Sequence, residues 1–149
     1  MAELRDLYQQ VILDHNRNPR HHGQPARHNH HAQGHNPLCG DRVTIYVQVE
    51  DGVIRDVGFE GSGCAISTAS ASLMTGAVAG KTLAEAERLF RDFHEMVVDP
   101  IAPTDTTKLG KLAAFAGVRG FPARVKCANL PWHTLHAALT TDGERVTTE

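Results

Sequence analysis

A strand–turn–strand pattern constrains the fold of this chain more than any other feature of its sequence. Residues 42–50 alternate between polar and apolar side chains, and a second run of β-forming residues follows at 53–60. The dipeptide Asp51-Gly52 separates the two runs. This dipeptide is typical of tight hairpin turns, whose central residues need a positive φ. We therefore predict an antiparallel β-hairpin with one face of its strands in the core.

Helical patterns lie on both sides of this hairpin. Residues 3–16 carry apolar side chains at helical spacing, and the predicted helix ends before Pro19. Residues 65–79 are rich in Ala, Ser and Thr, whose small side chains suit a helix packed closely against a sheet. A further helix is predicted after Thr82, because Thr82 and Glu85 have the spacing of a capping box.

The C-terminal part of the chain contains two more predicted helical segments. One is an amphipathic segment at about residues 108–116. The last helix is predicted to begin near Cys127, since Pro131 is tolerated best in a first turn. The predicted fold class is α+β, with a small antiparallel sheet of about three strands packed by several helices. No linker or repeat divides residues 1–149, so we predict one domain.

Residues 15–37 differ in composition from the rest of the chain. This segment holds seven of the ten histidines, together with Asn, Gly, Pro, Arg and Gln, and has almost no large apolar residue to bury. We predict a mobile, histidine-rich surface loop there.

Net charge and cysteine content limit the classes of function that this chain can have. The formal net charge is -2, which gives no electrostatic attraction to nucleic acid or anionic lipid. No apolar run approaches the length of a membrane span and the N-terminus lacks signal-peptide features, so we expect a cytoplasmic protein. Three cysteines in a reducing compartment do not indicate a disulfide framework, which leaves metal or sulfur chemistry.

The three cysteines occupy predicted boundaries between elements. Cys64 and Cys127 are expected at helix N-termini, where the helix dipole favours a thiolate, and Cys39 precedes a strand. Asp41 follows Cys39 by two residues, so three thiolates and one carboxylate match the ligand count of tetrahedral zinc. Two alternatives stay open from the residues alone: each cysteine is a small buried apolar residue, and Asp41 is a turn residue.

The segments around the cysteines resemble the U-type iron–sulfur cluster assembly proteins, whose domain is of the NifU N-terminal type. The matching runs are Asn-Pro-Leu-Cys-Gly-Asp at 36–41, Gly-Ser-Gly-Cys-Ala-Ile-Ser at 61–67 and Arg-Val-Lys-Cys-Ala at 124–128. In the scaffold branch, IscU, a histidine directly precedes the third cysteine and a Leu-Pro-Pro-Val-Lys motif lies nearby. Here Lys126 precedes Cys127 and residues 120–126 lack the motif, so the chain is more similar to the SufU branch.

The resemblance implies a zinc ion held by three thiolates and one carboxylate, from Cys39, Asp41, Cys64 and Cys127. It implies a zinc-dependent sulfurtransferase whose Cys39 accepts persulfide sulfur from a PLP-dependent cysteine desulfurase of the SufS type and supplies the Suf cluster-assembly machinery. Such a protein is a sulfur acceptor rather than a stand-alone enzyme. Arg124 is expected beside the site, in contact with Asp41 or a thiolate.

Two other functions are compatible with the same ligands. One is a scaffold on which a [2Fe-2S] cluster is assembled with iron, since such clusters also bind Cys thiolates. The other is an interaction protein with a purely structural zinc site.

Overall fold

The computed structural model describes residues 2–38, 40–99, 109–140 and 145–147. The helices are α1 (Ala2–Arg17), α2 (Ala65–Val78), α3 (Leu83–Val98), a 3-10 helix (Gly110–Val118) and α4 (Pro122–Thr140). The strands are β1 (His30–Asn36), β2 (Asp41–Glu50), β3 (Val53–Ser62) and the short β4 (Arg145–Thr147). The sheet order is β3-β2-β1-β4. Strands β1 to β3 are antiparallel, and β4 adds in parallel to β1, so the predicted α+β class is confirmed.

The predicted hairpin is confirmed as β2 and β3. Asp51 and Gly52 have φ values of 53° and 73°, the left-handed conformation that the tight turn requires. The inward side chains of β2 are at most 5% exposed: Val43, Ile45 and Val47. The alternation in the sequence therefore sets which face of the sheet lies in the core.

The prediction of a loop over residues 15–37 is wrong for residues 30–36, which form β1 between β2 and β4. The strand was missed because its inward positions hold only small or polar residues: Ala32, Gly34 and Asn36. At Gly34 a Cβ atom would overlap the hydroxyl of Thr134 on α4. β1 is thus buried by close approach of a helix rather than by large apolar side chains.

The connection between α1 and β1 is attached to the rest of the molecule at several points. Gly23 donates its backbone N–H to the carbonyl of Phe59 at 2.7 Å, which places the connection along β3. The His21 ring nitrogen Nδ1 lies 3.1 Å from the Thr75 hydroxyl, and the His22 ring packs edge-on against Phe59. Several histidines of this segment therefore have structural contacts.

Two helical segments were predicted from the sequence and are present in the structure. The amide of Glu85 donates to the Thr82 hydroxyl and the Glu85 carboxylate accepts from the Thr82 amide, which is the predicted capping box at the start of α3. The segment predicted as helical at 108–116 is the 3-10 helix, which begins at Gly110; residue 108 lies outside the described residues.

The predicted start of the last helix is wrong, because α4 begins at Pro122. Proline suits a first helical position, where no N–H is required, so Pro122 was the start signal. Pro131 lies in the interior of α4, where it has no N–H to donate to the carbonyl of Cys127. Cys127 is consequently inside the helix rather than at its N-terminus.

The helices cover the inward face of the sheet and enclose a core that includes Trp132, Phe93 and Phe115. The rings of Phe93 and Trp132 stack with centroids 4.9 Å apart. None of the helices in the described part of the chain combines the length and hydropathy that a membrane span requires.

A buried histidine joins α1 to α2 and makes stability dependent on pH. The Nδ1 atom of His15 lies 2.7 Å from the hydroxyl of Ser72, which also accepts the backbone N–H of Arg20 at 2.8 Å. Burial, with a smaller effect of the Arg20 charge, lowers the pKa of His15 below its usual 6.5. Below pH 6.5 the unfolded chain therefore holds more protons at this residue than the folded chain does.

We predict that the free energy of unfolding falls as pH drops from about 7.5 to 5.5, and that His15→Asn, which retains a polar atom near Ser72 without titrating, reduces this fall. Urea unfolding of the metal-free chain at both pH values measures the effect. Some dependence should persist in the variant, because burial also lowers the pKa of His133 and because the lowered pKa of Cys64 contributes a fall of the same sign in the metal-free chain. An equal fall in wild type and variant would contradict the assignment to His15.

Candidate metal centre

Three of the predicted ligands meet at one place in the structure. One donor atom each from Asp41, Cys64 and Cys127 lies within 4.8 Å of the other two. They come from the start of β2, the N-terminus of α2 and the second turn of α4. The fold therefore brings together residues that are 23 and 63 positions apart in the sequence.

Asp41 is the most enclosed of the three. Its residue is 0% exposed, and its Oδ1 accepts the backbone N–H of Cys64 at 2.8 Å. Its Oδ2 lies 3.7 Å from Cys64 Sγ. Burying a carboxylate is costly unless it is paired, so the amide of Cys64 fixes Asp41 with one oxygen directed at the thiol.

Cys64 is the N-cap residue of α2 and is predisposed to ionise. Its sulfur accepts the backbone N–H of Ser67 at 3.5 Å, as the predicted helix N-terminus requires. A hydrogen bond from the Cys127 thiol, assisted by the amides of Ser67 and Ile66, outweighs burial and the Asp41 charge and lowers the pKa of Cys64 to about 7. The surroundings of Cys64 thus favour the thiolate, which is the form that binds metal ions.

Cys127 is only 3% exposed, and the side-chain amide of another residue lies beside its sulfur. The Nδ2 of Asn36, the last residue of β1, donates to Cys127 Sγ at 3.8 Å. The sequence prediction did not select Asn36 as a site residue, although it begins the run 36–41. The role of Asn36 depends on β1, which the sequence did not predict, because the end of this strand directs the Asn36 amide at α4.

The fourth predicted ligand, Cys39, lies outside the described residues. Its neighbours are described: Leu38 is 68% exposed, and Gly40 has a φ of 72°, which favours glycine. Gly40 leads directly into the buried Asp41. The role of Cys39 as a ligand stays a prediction.

Two glycines allow the end of β3 to cross over Asp41. A Cβ atom on Gly61 would overlap the backbone carbonyl of Arg42 on the paired strand. A Cβ atom on Gly63 would lie 2.5 Å from Asp41 Oδ1, closer than real contacts permit. The Gly-Ser-Gly run before Cys64 thus permits the approach that pairs the Cys64 amide with Asp41.

The donor set fits a zinc ion. Bonds of about 2.3 Å to sulfur and 2.0–2.2 Å to carboxylate oxygen place tetrahedral ligand atoms roughly 3.5–3.8 Å apart. The three described donors, within 4.8 Å of one another, need only a small contraction to reach that geometry. A carboxylate and two thiols crowded into one site also favour a cation, which offsets their mutual repulsion.

Two other polar residues of α4 have contacts elsewhere. The guanidinium of Arg124 lies 4.6 Å from the ring centroid of Phe121, which is 51% exposed. The expected contact of Arg124 with Asp41 or a thiolate stays a prediction. His133 packs against the rings of Phe90 and His94, with centroids 5.1 and 5.6 Å away.

The fold and the Asp-Cys-Cys cluster at one end of its sheet point to a class of proteins. Comparison with known sequences identifies that class. The profile of the NifU-like N-terminal domain matches residues 7–128, and the chain belongs to this family. The family includes iron–sulfur cluster assembly proteins named IscU and SufU.

Individual relatives carry both names. The chain is 42% identical over 139 residues, 93% of its length and 86% of the relative's, to the iron–sulfur cluster assembly scaffold protein IscU of Streptococcus pyogenes. It is 41% identical over 134 residues, 90% of each chain, to the zinc-dependent sulfurtransferase SufU of Bacillus subtilis. The crystal structure of a SUF-system scaffold protein from Fervidobacterium islandicum superposes with a TM-score of 0.81 at 37% identity, covering 88% of this chain and 95% of that one.

We predict that Gly63→Ala destabilises the folded chain by about 1–3 kcal/mol, because the new methyl displaces the enclosed Asp41 carboxylate. Gly76→Ala is the matched control: Gly76 is exposed within α2 and has nothing within 4 Å of a Cβ atom, so this variant should be neutral or slightly more stable. Urea unfolding compares the two. Equal stability of both variants would show that Gly63 is not needed for close approach.

Proposed function

We propose that this protein is a zinc-binding sulfur acceptor in iron–sulfur cluster assembly. The observation that carries the proposal is the convergence of the Asp41 carboxylate with the thiols of Cys64 and Cys127, next to the loop that contains Cys39. The zinc-dependent sulfurtransferase of Bacillus subtilis, 41% identical to this chain, supports the choice of activity.

The proposed ligands of zinc are three thiolates and one carboxylate, from Cys39, Asp41, Cys64 and Cys127. When bound, zinc would act as a Lewis acid that keeps these thiols deprotonated at neutral pH and in fixed positions. Cys64 caps α2 and Cys127 lies within α4, whereas Cys39 follows the exposed Leu38 and precedes a glycine in the sequence. Cys39 is therefore the thiolate best placed to leave the site and react.

The proposed reaction is an exchange between a thiolate and a persulfide. The Cys39 thiolate attacks the outer sulfur of a persulfide on the partner; a new sulfur–sulfur bond forms on Cys39 and the bond within the partner's persulfide breaks. The partner's cysteine departs as a thiolate with the electron pair, so no external oxidant or reductant is needed. Asp41, Cys64 and Cys127 stay in place during this exchange.

The proposed sulfur donor is a PLP-dependent cysteine desulfurase of the SufS type, and the sulfur passes on to the Suf cluster-assembly machinery. The similarity to a SUF-system protein of known structure supports this assignment. Leu38 directly precedes Cys39, and Phe121 lies six residues before Cys127 in the sequence. Both are among the most exposed large apolar side chains of the described residues and are available for contact with a protein partner.

A second candidate function is assembly of a [2Fe-2S] cluster on the same residues. The 42% identity to a relative named as an assembly scaffold favours it, and a cluster uses the same thiolates. The residue before Cys127 is a lysine here, whereas the resemblance leads us to expect a histidine in the scaffold branch. We therefore prefer sulfur transfer.

Sulfur transfer is tested by alanine release from cysteine, catalysed by the desulfurase of the same organism with a reductant present. A substoichiometric amount of the zinc-loaded chain should accelerate release over many turnovers, and Cys39→Ala should abolish the acceleration because no thiolate attacks the persulfide. Gly76→Ala, remote from the site, serves as the positive control. Absence of acceleration by the wild-type chain would contradict the proposal and favour the scaffold, which reconstitution with iron and sulfide then tests.

The role of Asp41 as a ligand is tested separately. Asp41→Asn preserves an oxygen that can accept the Cys64 amide but lacks the charge, so zinc affinity should fall roughly tenfold or more while the chain stays folded. Asp41→Ala removes both functions and should also reduce stability. Competition for zinc with a chromophoric chelator measures the affinity. Wild-type affinity in both variants would mean that Asp41 is only a turn residue.

A further inference from the structure

Asn36 is a fully buried polar residue at the edge of the proposed metal centre. It is 0% exposed, ends β1, and pairs across the sheet with Asp41, the first residue of β2. Buried amides are normally retained where both their donor and acceptor groups have partners. The partners of Asn36 are therefore informative.

The two ends of the Asn36 amide contact two different parts of the site. Its Oδ1 accepts the backbone N–H of Leu38 at 3.2 Å, which fixes the start of the loop that contains Cys39. Its Nδ2 donates to Cys127 Sγ at 3.8 Å, a distance at the long end of the range for hydrogen bonds to sulfur. One side chain thus contacts both the Leu38 backbone and the Cys127 thiol on α4.

We infer that Asn36 is a positioning residue of this metal centre: its amide fixes the backbone at Leu38 and donates a hydrogen bond to the Cys127 sulfur. This inference rests on the proposed metal site and adds a residue to it. A hydrogen bond to a thiolate withdraws electron density from sulfur and restricts its orientation. Cys64 receives the equivalent bond from the Ser67 amide, so both helix-borne thiolates have a fixed neutral donor.

The chain offers the same chemical change at two asparagines, the buried Asn36 and the exposed Asn29. Asn36→Asp preserves the acceptor for Leu38 and removes the donor to Cys127. Asn29→Asp makes the same chemical change at a remote site: Asn29 accepts the Val49 amide at 2.8 Å and donates to the Val49 carbonyl at 2.7 Å. Asn29 lies seven residues before Asn36, about 23 Å along an extended chain. Asn36→Ala removes both contacts without introducing a charge.

Binding of Co²⁺, which reports thiolate coordination by its absorption, supplies a readout independent of sulfur transfer. We expect the sulfur-to-cobalt charge-transfer band of Asn36→Asp and Asn36→Ala to shift to lower energy, because a thiolate that has lost this hydrogen bond is more electron-rich. We also expect both variants to lose Zn²⁺ to a chelator roughly tenfold faster than wild type. Asn29→Asp should match wild type in both measurements.

The outcomes separate this inference from the proposed function. If Asn36→Ala gives the wild-type band and zinc-loss rate, the positioning role is wrong, even if Asn36→Asp does not fold. Shifts of equal size in Asn29→Asp would attribute the effect to general destabilisation and would also overturn the inference. A wild-type chain that binds neither Co²⁺ nor Zn²⁺ would overturn the metal centre itself.

Discussion

The structure of the site depends on the hydrogen bond between the buried Asp41 carboxylate and the backbone amide of Cys64. This contact joins the first residue of β2 to the N-cap of α2, so it sets where the helix begins relative to the sheet. It also leaves the second carboxylate oxygen directed at the Cys64 sulfur. A carboxylate with no exposed surface is stable only if its charge is compensated, and a bound cation would add to the compensation that the amide provides. Binding of the proposed metal ion would therefore be coupled to folding at this residue.

Small residues make this contact geometrically feasible. Gly61 and Gly63 let the end of β3 pass over β2 and Asp41, and Gly34 lets α4 approach β1 closely. The close approach of α4 brings Cys127 to the same end of the sheet as Asp41. Glycine in a strand loses more conformational entropy on folding than other residues do. Here that cost is offset by close contacts that only glycine permits. The Asp-Cys-Cys cluster is thus a consequence of how closely the elements pack, and not only of which residues bear donor atoms.

Much of this arrangement could be predicted from the sequence, because local signals and tertiary structure agree over most of the chain. The alternation around Asp51-Gly52 and the capping box at Thr82 each define an element without reference to the rest of the fold. β1 could not be recognised in this way, since its inward residues are small and its burial depends on a helix a hundred residues later in the chain. The start of α4 was misplaced because tertiary packing accommodates Pro131 in a helix interior, against its intrinsic preference. The same two errors concealed Asn36, whose contact with Cys127 requires both the strand end and the correct helix.

The donor set is the central claim, and X-ray absorption spectroscopy of the zinc-loaded chain tests it most directly. We expect a four-coordinate first shell with three sulfur atoms at about 2.3 Å and one oxygen at about 2.0–2.2 Å. A shell dominated by histidine nitrogen, as binding to the segment rich in histidine would give, or by six oxygens would contradict the claim that the fold brings Asp41, Cys64 and Cys127 together to hold the metal.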